Sequence, residues 1–149
     1  MKTMRIDSIK IEKKIDENPD LSYLGEYSDT PKTGAIDLYP LQTQGPQYHY
    51  FNPANPEYAQ QDFERMKAYS AGEWGCIGIC AVARVSYDCG AGCRRLHTFR
   101  SGGLWGICDD NPREYIQTIE EEELLDLKQH LAAFGIDMGA FPADKVERL

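Results

Sequence analysis

Three stretches of the chain predict β-strands, and in the first of them hydrophobic and polar residues alternate strictly. In SIKIEKKI, residues 8–15, the isoleucines share one face and four polar residues the other, which is typical of a half-buried strand. WGCIGICAVARVSY and CRRLHTFRS, residues 74–87 and 93–101, are separated by the turn sequence DCGAG. We therefore expect these two strands to form a hairpin at the centre of a sheet.

A first helix is predicted over residues 56–70, where Ala59, Phe63 and Met66 form a modest hydrophobic stripe. Asn55 is a good N-cap and Pro56 suits the first helical position. Gly72 is a plausible stop, because glycine readily adopts the left-handed conformation that ends many helices.

A second helix is predicted over residues 112–134, and its ends are the clearest in the chain. Asn111 with Glu114 three positions later resembles a capping box, with Pro112 at the first helical position. Gly135 can close the helix through a Schellman motif, in which the residue after it contacts the last turn. The predicted inward stripe consists of Ile116, Ile119, Leu127, Leu131 and Phe134.

Residues 19–47 show no sustained periodicity and are rich in Pro, Gly, Ser, Thr and Asp, so we expect a long surface loop with at most short extended pieces. A short strand is expected at residues 47–51, QYHYF. The order of elements predicts an α+β fold, built as a single domain with an antiparallel sheet packed by the two helices. A chain of 149 residues is long enough to bury a core of this kind without disulfides or metal.

The net charge of −8 disfavours direct binding to nucleic acid, which needs positive charge on the contacting face. It allows a partner with a basic surface. The N-terminus, MKTMRIDSIKIEKKI, is charged and alternating rather than a signal peptide, and no stretch has the run of about 18 apolar residues that a membrane span needs. We expect a cytoplasmic protein with no membrane contact.

Five cysteines without an export signal are expected to be reduced thiols. Cys76 and Cys80 lie four apart on a strand, about 13 Å at ~3.3 Å per residue, so they cannot hold one metal ion on a straight strand. Cys89 and Cys93 flank a turn and could approach each other. Zinc and a disulfide are the minor alternatives, and we expect neither a metal nor a cofactor.

The stretch SGGLWG, residues 101–106, lies between a strand and a helix, where phosphate-binding loops also lie. It lacks both the P-loop and dinucleotide motifs, and Ser101 does not stand in a nucleophile elbow. We interpret Gly102 and Gly103 as permitting unusual backbone angles, with Leu104, Trp105 and Ile107 burying apolar surface. The alternative is an anion-binding loop in front of the helix N-terminus.

Four stretches resemble a group of small uncharacterised proteins of bacteriophages and other mobile elements: DLSYLGEYSDT, YFNPANPEYAQQDFERMKAY, GEWGCIGICAVA and, most specifically, SGGLWGICDD before an acidic helix. The likeness covers most of residues 9–135. Where this chain has Cys80, the proteins of this group have a residue more common in strands than cysteine. Where it has Cys108, Asp109 and Asp110, they usually have Glu-Ser-Asp. The resemblance implies a phage or mobile-element setting, no particular activity, and cysteines particular to this protein.

Four consecutive glutamates occupy one turn of the second predicted helix. At 100° per residue, Glu120 and Glu123 project near the inward stripe, and Glu121 and Glu122 point outward. Buried carboxylates need partners, and the hairpin offers arginines. Surface ion pairs, a buried Glu–Arg network and a general acid/base pair remain open. The candidate partners are Arg84, Arg94, Arg95 and Arg100.

The favoured function is a non-enzymatic acidic binding protein of a phage or mobile element. It would act through contacts with a host protein and inhibit a host nucleic-acid-handling complex. The alternative is a small enzyme or anionic-ligand-binding domain at SGGLWG, using His97 as well. The candidate binding residues are Arg100, Ser101, Gly102, Gly103, Trp105, Glu120, Glu121, Glu122, Glu123 and Asp126, with Asp109 and Asp110 extending the acidic surface.

Overall fold

The computed structural model describes residues 4–41, 47–90 and 92–148, and it confirms an α+β fold with antiparallel sheets and two helices. The chain divides into two compact units, Met1–Glu17 with Cys76–Leu149, and Asn18–Gly75. In chain order the elements are β1 (Met4–Ile15), β2 (Gly25–Ser28), β3 (Ile36–Asp37), β4 (Tyr50–Pro53), α1 (Ala59–Ser70), β5 (Cys76–Gly90), β6 (Cys93–Arg100), β7 (Leu104–Cys108) and α2 (Arg113–Ala133).

The larger unit is a four-stranded antiparallel sheet with α2 packed on it. The long β5 lies at the centre, with β1 along one edge and β6 and then β7 along the other. The predicted hairpin is confirmed as β5 and β6, in a register that places Val85 opposite His97. The strand β7 was not expected, because LWGIC is short and contains a glycine.

Alternation along β5 determines which face is buried. Its five odd-numbered residues from Ile77 to Val85 lie in the core with α2. Leu127 and Leu131 are fully buried, and burying one such side chain contributes about 2 kcal/mol. The helical stripe was wrong at its end, because Phe134 is 63% exposed, whereas Leu124, which the stripe omitted, is buried.

Of the two end motifs predicted for α2, one is absent and one is present. The expected capping box does not form, since Pro112 holds the N-cap position and the Asn111 side chain donates to the Cys108 carbonyl instead. At the other end the Schellman motif is confirmed: Gly135 has φ +75°, and the Ile136 N–H donates to the Leu131 carbonyl.

The smaller unit is a three-stranded antiparallel sheet, ordered β2-β4-β3, with α1 against β4. Residues 19–47, expected to be a loop, contribute β2, β3 and a 3-10 turn, while residues 42–46 lie outside the described part. The expected strand at 47–51 begins at Tyr50. Asn55 caps a 3-10 turn at Pro56–Tyr58 that leads into α1.

None of the helices in the described residues is both long enough and apolar enough to cross a membrane.

Candidate functional site

The segment Ser101–Gly103, here called the SGG strap, continues β6 and remains tied to the sheet. The Ser101 N–H donates to the Ala81 carbonyl at 2.9 Å, and the Ala81 N–H donates to Ser101 Oγ at 2.9 Å. Ser101 is buried, so its hydroxyl is held among these partners rather than offered to solvent. These bonds to β5 hold the backbone in place, and so they position the N–H groups of the next two residues, Gly102 and Gly103.

Three donors of the SGG strap bind carboxylates of α2. Glu123 Oε1 accepts from Ser101 Oγ and from the Gly103 N–H, both at 2.7 Å. Asp126 Oδ2 accepts from the Gly102 N–H at 2.7 Å. Successive backbone N–H groups form an anion-binding concavity in many proteins. In this chain its own carboxylates occupy that concavity, so the strap fastens α2 to the sheet.

Two glycines make this arrangement possible for different reasons. Gly103 has φ +78°, a conformation that L side chains rarely adopt. Gly78 on β5 lies beneath the Trp105 ring, and an added Cβ there would clash with the ring. The Gly78 contact was not anticipated, because nothing local in the sequence marks an approach between two strands.

On the sheet face opposite α2, a cavity of about 220 Å³ lies beside the strap. Arg100 Nη1 donates to Glu12 Oε2 at 2.6 Å, which lowers the pKa of the Glu12 carboxyl and raises the pKa of Arg100. Trp105 lines this cavity and is 56% exposed, and Leu104 is 42% exposed, so the expectation that these two side chains bury apolar surface was wrong, whereas Ile107 is buried. The lining of the cavity includes Glu12, Lys14, Gly78, Cys80, Arg100 and Trp105.

Glu120 is buried, 3% exposed, and has different neighbours from Glu123. Its Oε2 atom has no hydrogen-bond partner, and Arg148 Nη1 lies 3.9 Å away. Arg148 Nη1 lies 2.6 Å from Glu121 Oε1. An ion pair at 3.9 Å is too long for a hydrogen bond, so this buried carboxylate is only partly compensated.

A buried Glu–Arg network with the hairpin, one of the alternatives left open for α2, does not form through Arg94 or Arg100. Arg94 donates to Ser86 and Asp7, and Arg100 binds Glu12, all away from α2. The hydrogen bond from Ser86 is the largest cause of the lowered pKa of Asp7. The carboxylates of α2 instead use the strap and Arg148, near the C-terminus.

The remaining candidates lie apart from the strap. His97 stacks on Tyr87, with the Tyr87 hydroxyl 3.3 Å from His97 Nε2. Glu122 is exposed, as are Asp109 and Asp110 in the turn that precedes α2. Asp126, by contrast, binds the strap, and its Oδ2 atom also lies 3.3 Å from His130 Nε2.

Two of the five cysteines are joined, contrary to the expectation of reduced thiols. Cys89 and Cys93 form a disulfide across the β5–β6 turn, with their Cα atoms 5.3 Å apart. Cys76, Cys80 and Cys108 are not in disulfides. Among the described residues, no three His, Cys, Asp or Glu side chains are grouped closely enough to hold a metal ion.

No protein-family model, curated protein or solved structure matches this chain.

Proposed function

We propose that this protein is a non-enzymatic binding protein of a bacteriophage or mobile element, which acts through contacts with a host protein. The observation that supports it most is the division of labour among the carboxylates of α2. Glu123 and Asp126 fasten the helix to the strap, whereas Glu121 and Glu122 point outward into solvent. The outward carboxylates, with Asp109 and Asp110, are here called the acidic surface.

An acidic surface suits a partner that normally binds nucleic acid. Such proteins present basic grooves, and a surface of net negative charge is attracted to them at long range. Glu121 is partly neutralised by Arg148, while Glu122 has no ion-pair partner within the described ranges. The proposed outcome is inhibition of a host nucleic-acid-handling complex by competition for its basic groove.

The anionic-ligand alternative keeps one supporting observation, the cavity of about 220 Å³ beside Arg100 and Trp105. The amides of Gly102 and Gly103, which would have bound a phosphate, already bind Asp126 and Glu123. A small anion would therefore depend on Arg100 and Lys14. Binding of such anions that is lost in Arg100→Ala would favour this alternative.

The decisive experiment is affinity capture of the tagged protein from host lysate, washed at low and at high salt. We expect one dominant host protein that is lost at high salt, because exposed charge pairs are screened. The double variant Glu121→Lys, Glu122→Lys should lose it. The matched control, Glu57→Lys with Glu73→Lys, makes the same change in net charge at exposed positions of the smaller unit.

Two results would count against this function. Capture of the same partner by Glu121→Lys, Glu122→Lys would remove the acidic surface as its binding site. Capture of no partner at either salt concentration would favour the anionic-ligand alternative at the cavity beside Arg100. Screening with small anions would then follow.

The cytoplasmic location is part of the same proposal. Cytosolic reductants keep most thiols reduced, so in that compartment the Cys89–Cys93 bond is expected to be open. Alkylation of thiols in intact cells before lysis reports this state directly. A fully oxidised pair in freshly trapped cells would argue against the cytoplasm.

A further inference from the structure

Two cysteines outside the strap lie directly opposite each other on neighbouring strands. The register of β5 and β7 pairs Cys76 with Cys108, next to the pair Ile77–Ile107. The isoleucines face the core, so the two cysteines share the opposite face of the sheet. The sequence alone does not show which of the five cysteines lie close together. The unexpected strand β7 brings Cys76 and Cys108 together.

Backbone hydrogen bonds show which kind of antiparallel pair this is. The Cys76 carbonyl accepts from the Asp16 N–H at 2.9 Å, on the side of β5 away from β7. The Cys108 carbonyl accepts from the Asn111 N–H at 3.2 Å, away from β5. Each residue thus directs its backbone groups away from the other, which defines a non-hydrogen-bonded pair.

Non-hydrogen-bonded pairs bring side chains closest together. Their Cα atoms are typically about 4.5 Å apart, inside the range of about 4.4–6.8 Å found for disulfides. Cys76 and Cys108 are register partners on one face of the sheet, so their side chains lie side by side. A bond between them therefore needs little backbone movement.

The two thiols differ in accessibility. Cys76 is 3% exposed, and burial raises its pKa, with Cys108, Asp16 and Asp109 adding to the effect. Cys108 is only partly buried. A reagent from solvent would therefore meet Cys108 first, and Cys76 would react second.

We propose that Cys76 and Cys108 form a thiol–disulfide exchange site for small organic disulfides. The Cys108 thiolate attacks one sulfur of the small disulfide, forms a mixed disulfide and releases one small thiol. Cys76 then loses its proton and attacks the Cys108 sulfur, which forms the Cys76–Cys108 bond and releases the second thiol. The protein loses two electrons and two protons, and the small disulfide gains them as two thiols.

The new bond would hold β7 against β5 at the turn that leads into α2. Asn111, which binds the Cys108 carbonyl, lies in that turn. The site is independent of the proposed binding function, since neither Cys76 nor Cys108 belongs to the acidic surface and the exchange needs no host protein. Either proposal can therefore fail while the other stands.

The test uses the purified full chain, reduced with dithiothreitol, then exposed to oxidised glutathione. Remaining thiols are alkylated under denaturing conditions, and peptides are mapped by mass spectrometry. We expect a cross-linked peptide pair containing Cys76 and Cys108, while Cys80 stays alkylated as a thiol. Re-formation of Cys89–Cys93 is the internal control that oxidation occurred.

Single substitutions separate the two steps. Cys76→Ser should leave glutathione trapped on Cys108, because the second attack is removed. Cys108→Ser should leave Cys76 unmodified, because it is buried. Cys80→Ser is the matched control, since it removes a thiol from the same face of β5 and should leave the cross-link intact.

The wild-type map alone can overturn the proposal, whether or not a variant folds. A stable glutathione adduct on Cys108 without the cross-link would do so. Cys76 and Cys108 both recovered as alkylated thiols, while Cys89–Cys93 has re-formed, would do so as well.

Discussion

Glu120 and Glu123 lie one turn apart on the inward side of α2, yet their carboxylates meet opposite conditions. Glu123 Oε1 accepts two hydrogen bonds of 2.7 Å from the SGG strap. Glu120 is more deeply buried, and its Oε2 has no hydrogen bond, only Arg148 at 3.9 Å. Helical spacing decides that both are turned inward, but the segment that docks beside each one decides whether its charge stabilises the fold.

The energies behind this difference have opposite signs. Hydrogen bonds to a charged group contribute about 1.5–3 kcal/mol each, and removing the acceptor leaves buried donors unsatisfied. A buried charge without adequate partners costs free energy, and apolar residues of similar volume often replace it at no loss. The first situation describes Glu123 and the second describes Glu120.

The largest expected effect comes from removing the acceptor of the strap. Glu123→Ala leaves the Ser101 hydroxyl and the Gly103 N–H without their shared partner. We expect the free energy of unfolding to fall by about 3 kcal/mol, with the same m-value, in urea denaturation followed by circular dichroism.

Two variants make this measurement specific. Glu122→Ala removes an exposed carboxylate from the same turn and should change stability by less than about 0.5 kcal/mol. Glu123→Gln keeps an acceptor oxygen and should recover part of the loss. Equal stability of Glu123→Ala and Glu122→Ala would mean that the strap bonds do not hold α2 in place.

A smaller effect of opposite sign is expected at Glu120. Glu120→Met keeps a similar shape while removing a buried carboxylate oxygen that lacks a hydrogen bond. We expect an increase of about 1 kcal/mol in the free energy of unfolding, measured in the same way. Glu121→Met is the control, because it removes the nearer partner of Arg148 at an exposed site.

A clear loss of stability in Glu120→Met would contradict this explanation. It would mean that Arg148, despite the distance of 3.9 Å, compensates the buried charge in full. In that case the triple arrangement of Arg148 with both glutamates would hold the C-terminal segment to α2. The double variant Glu120→Met, Arg148→Met would then be less stable than Glu120→Met alone, because Arg148 still binds Glu121 in the single variant.

Much of the fold could be predicted because its signals are local. Strict alternation identified Ile9 and Ile11 as the buried side of β1, and Gly135 identified the end of α2 through a conformation that glycine favours. The start of α2 was predicted less well, since Asn111 has two possible uses. It binds the Cys108 carbonyl of β7 instead of capping the helix, and β7 itself depends on pairing with a distant strand.

The site could be predicted as a set of residues but not as a set of contacts. The sequence identifies Ser101, Gly102, Gly103 and the inward glutamates. It does not show that two of these amides bind carboxylates some twenty residues later. Hairpin arginines were the candidate partners because the helix was predicted to pack on the sheet, whereas Arg148 reaches α2 from the C-terminal segment.

The smallest expected effect concerns a third carboxylate, Glu12, which pairs with the exposed Arg100 at 2.6 Å. This pair lowers the pKa of Glu12. Its contribution to stability is therefore fully present at pH values above 4.5, the ordinary pKa of a glutamate, and is lost as the pH falls through the lower pKa of the folded state. Arg100→Met should therefore lower the free energy of unfolding by only about 0.5 kcal/mol at neutral pH. It should lower it by nothing at pH values well below the folded-state pKa of Glu12. Urea midpoints of wild type and Arg100→Met, compared from neutral pH down to acid, measure this loss of stability. Arg95→Met on the same strand is the control. A difference between wild type and Arg100→Met that persists unchanged in acid would show that Arg100 stabilises the sheet through packing rather than charge.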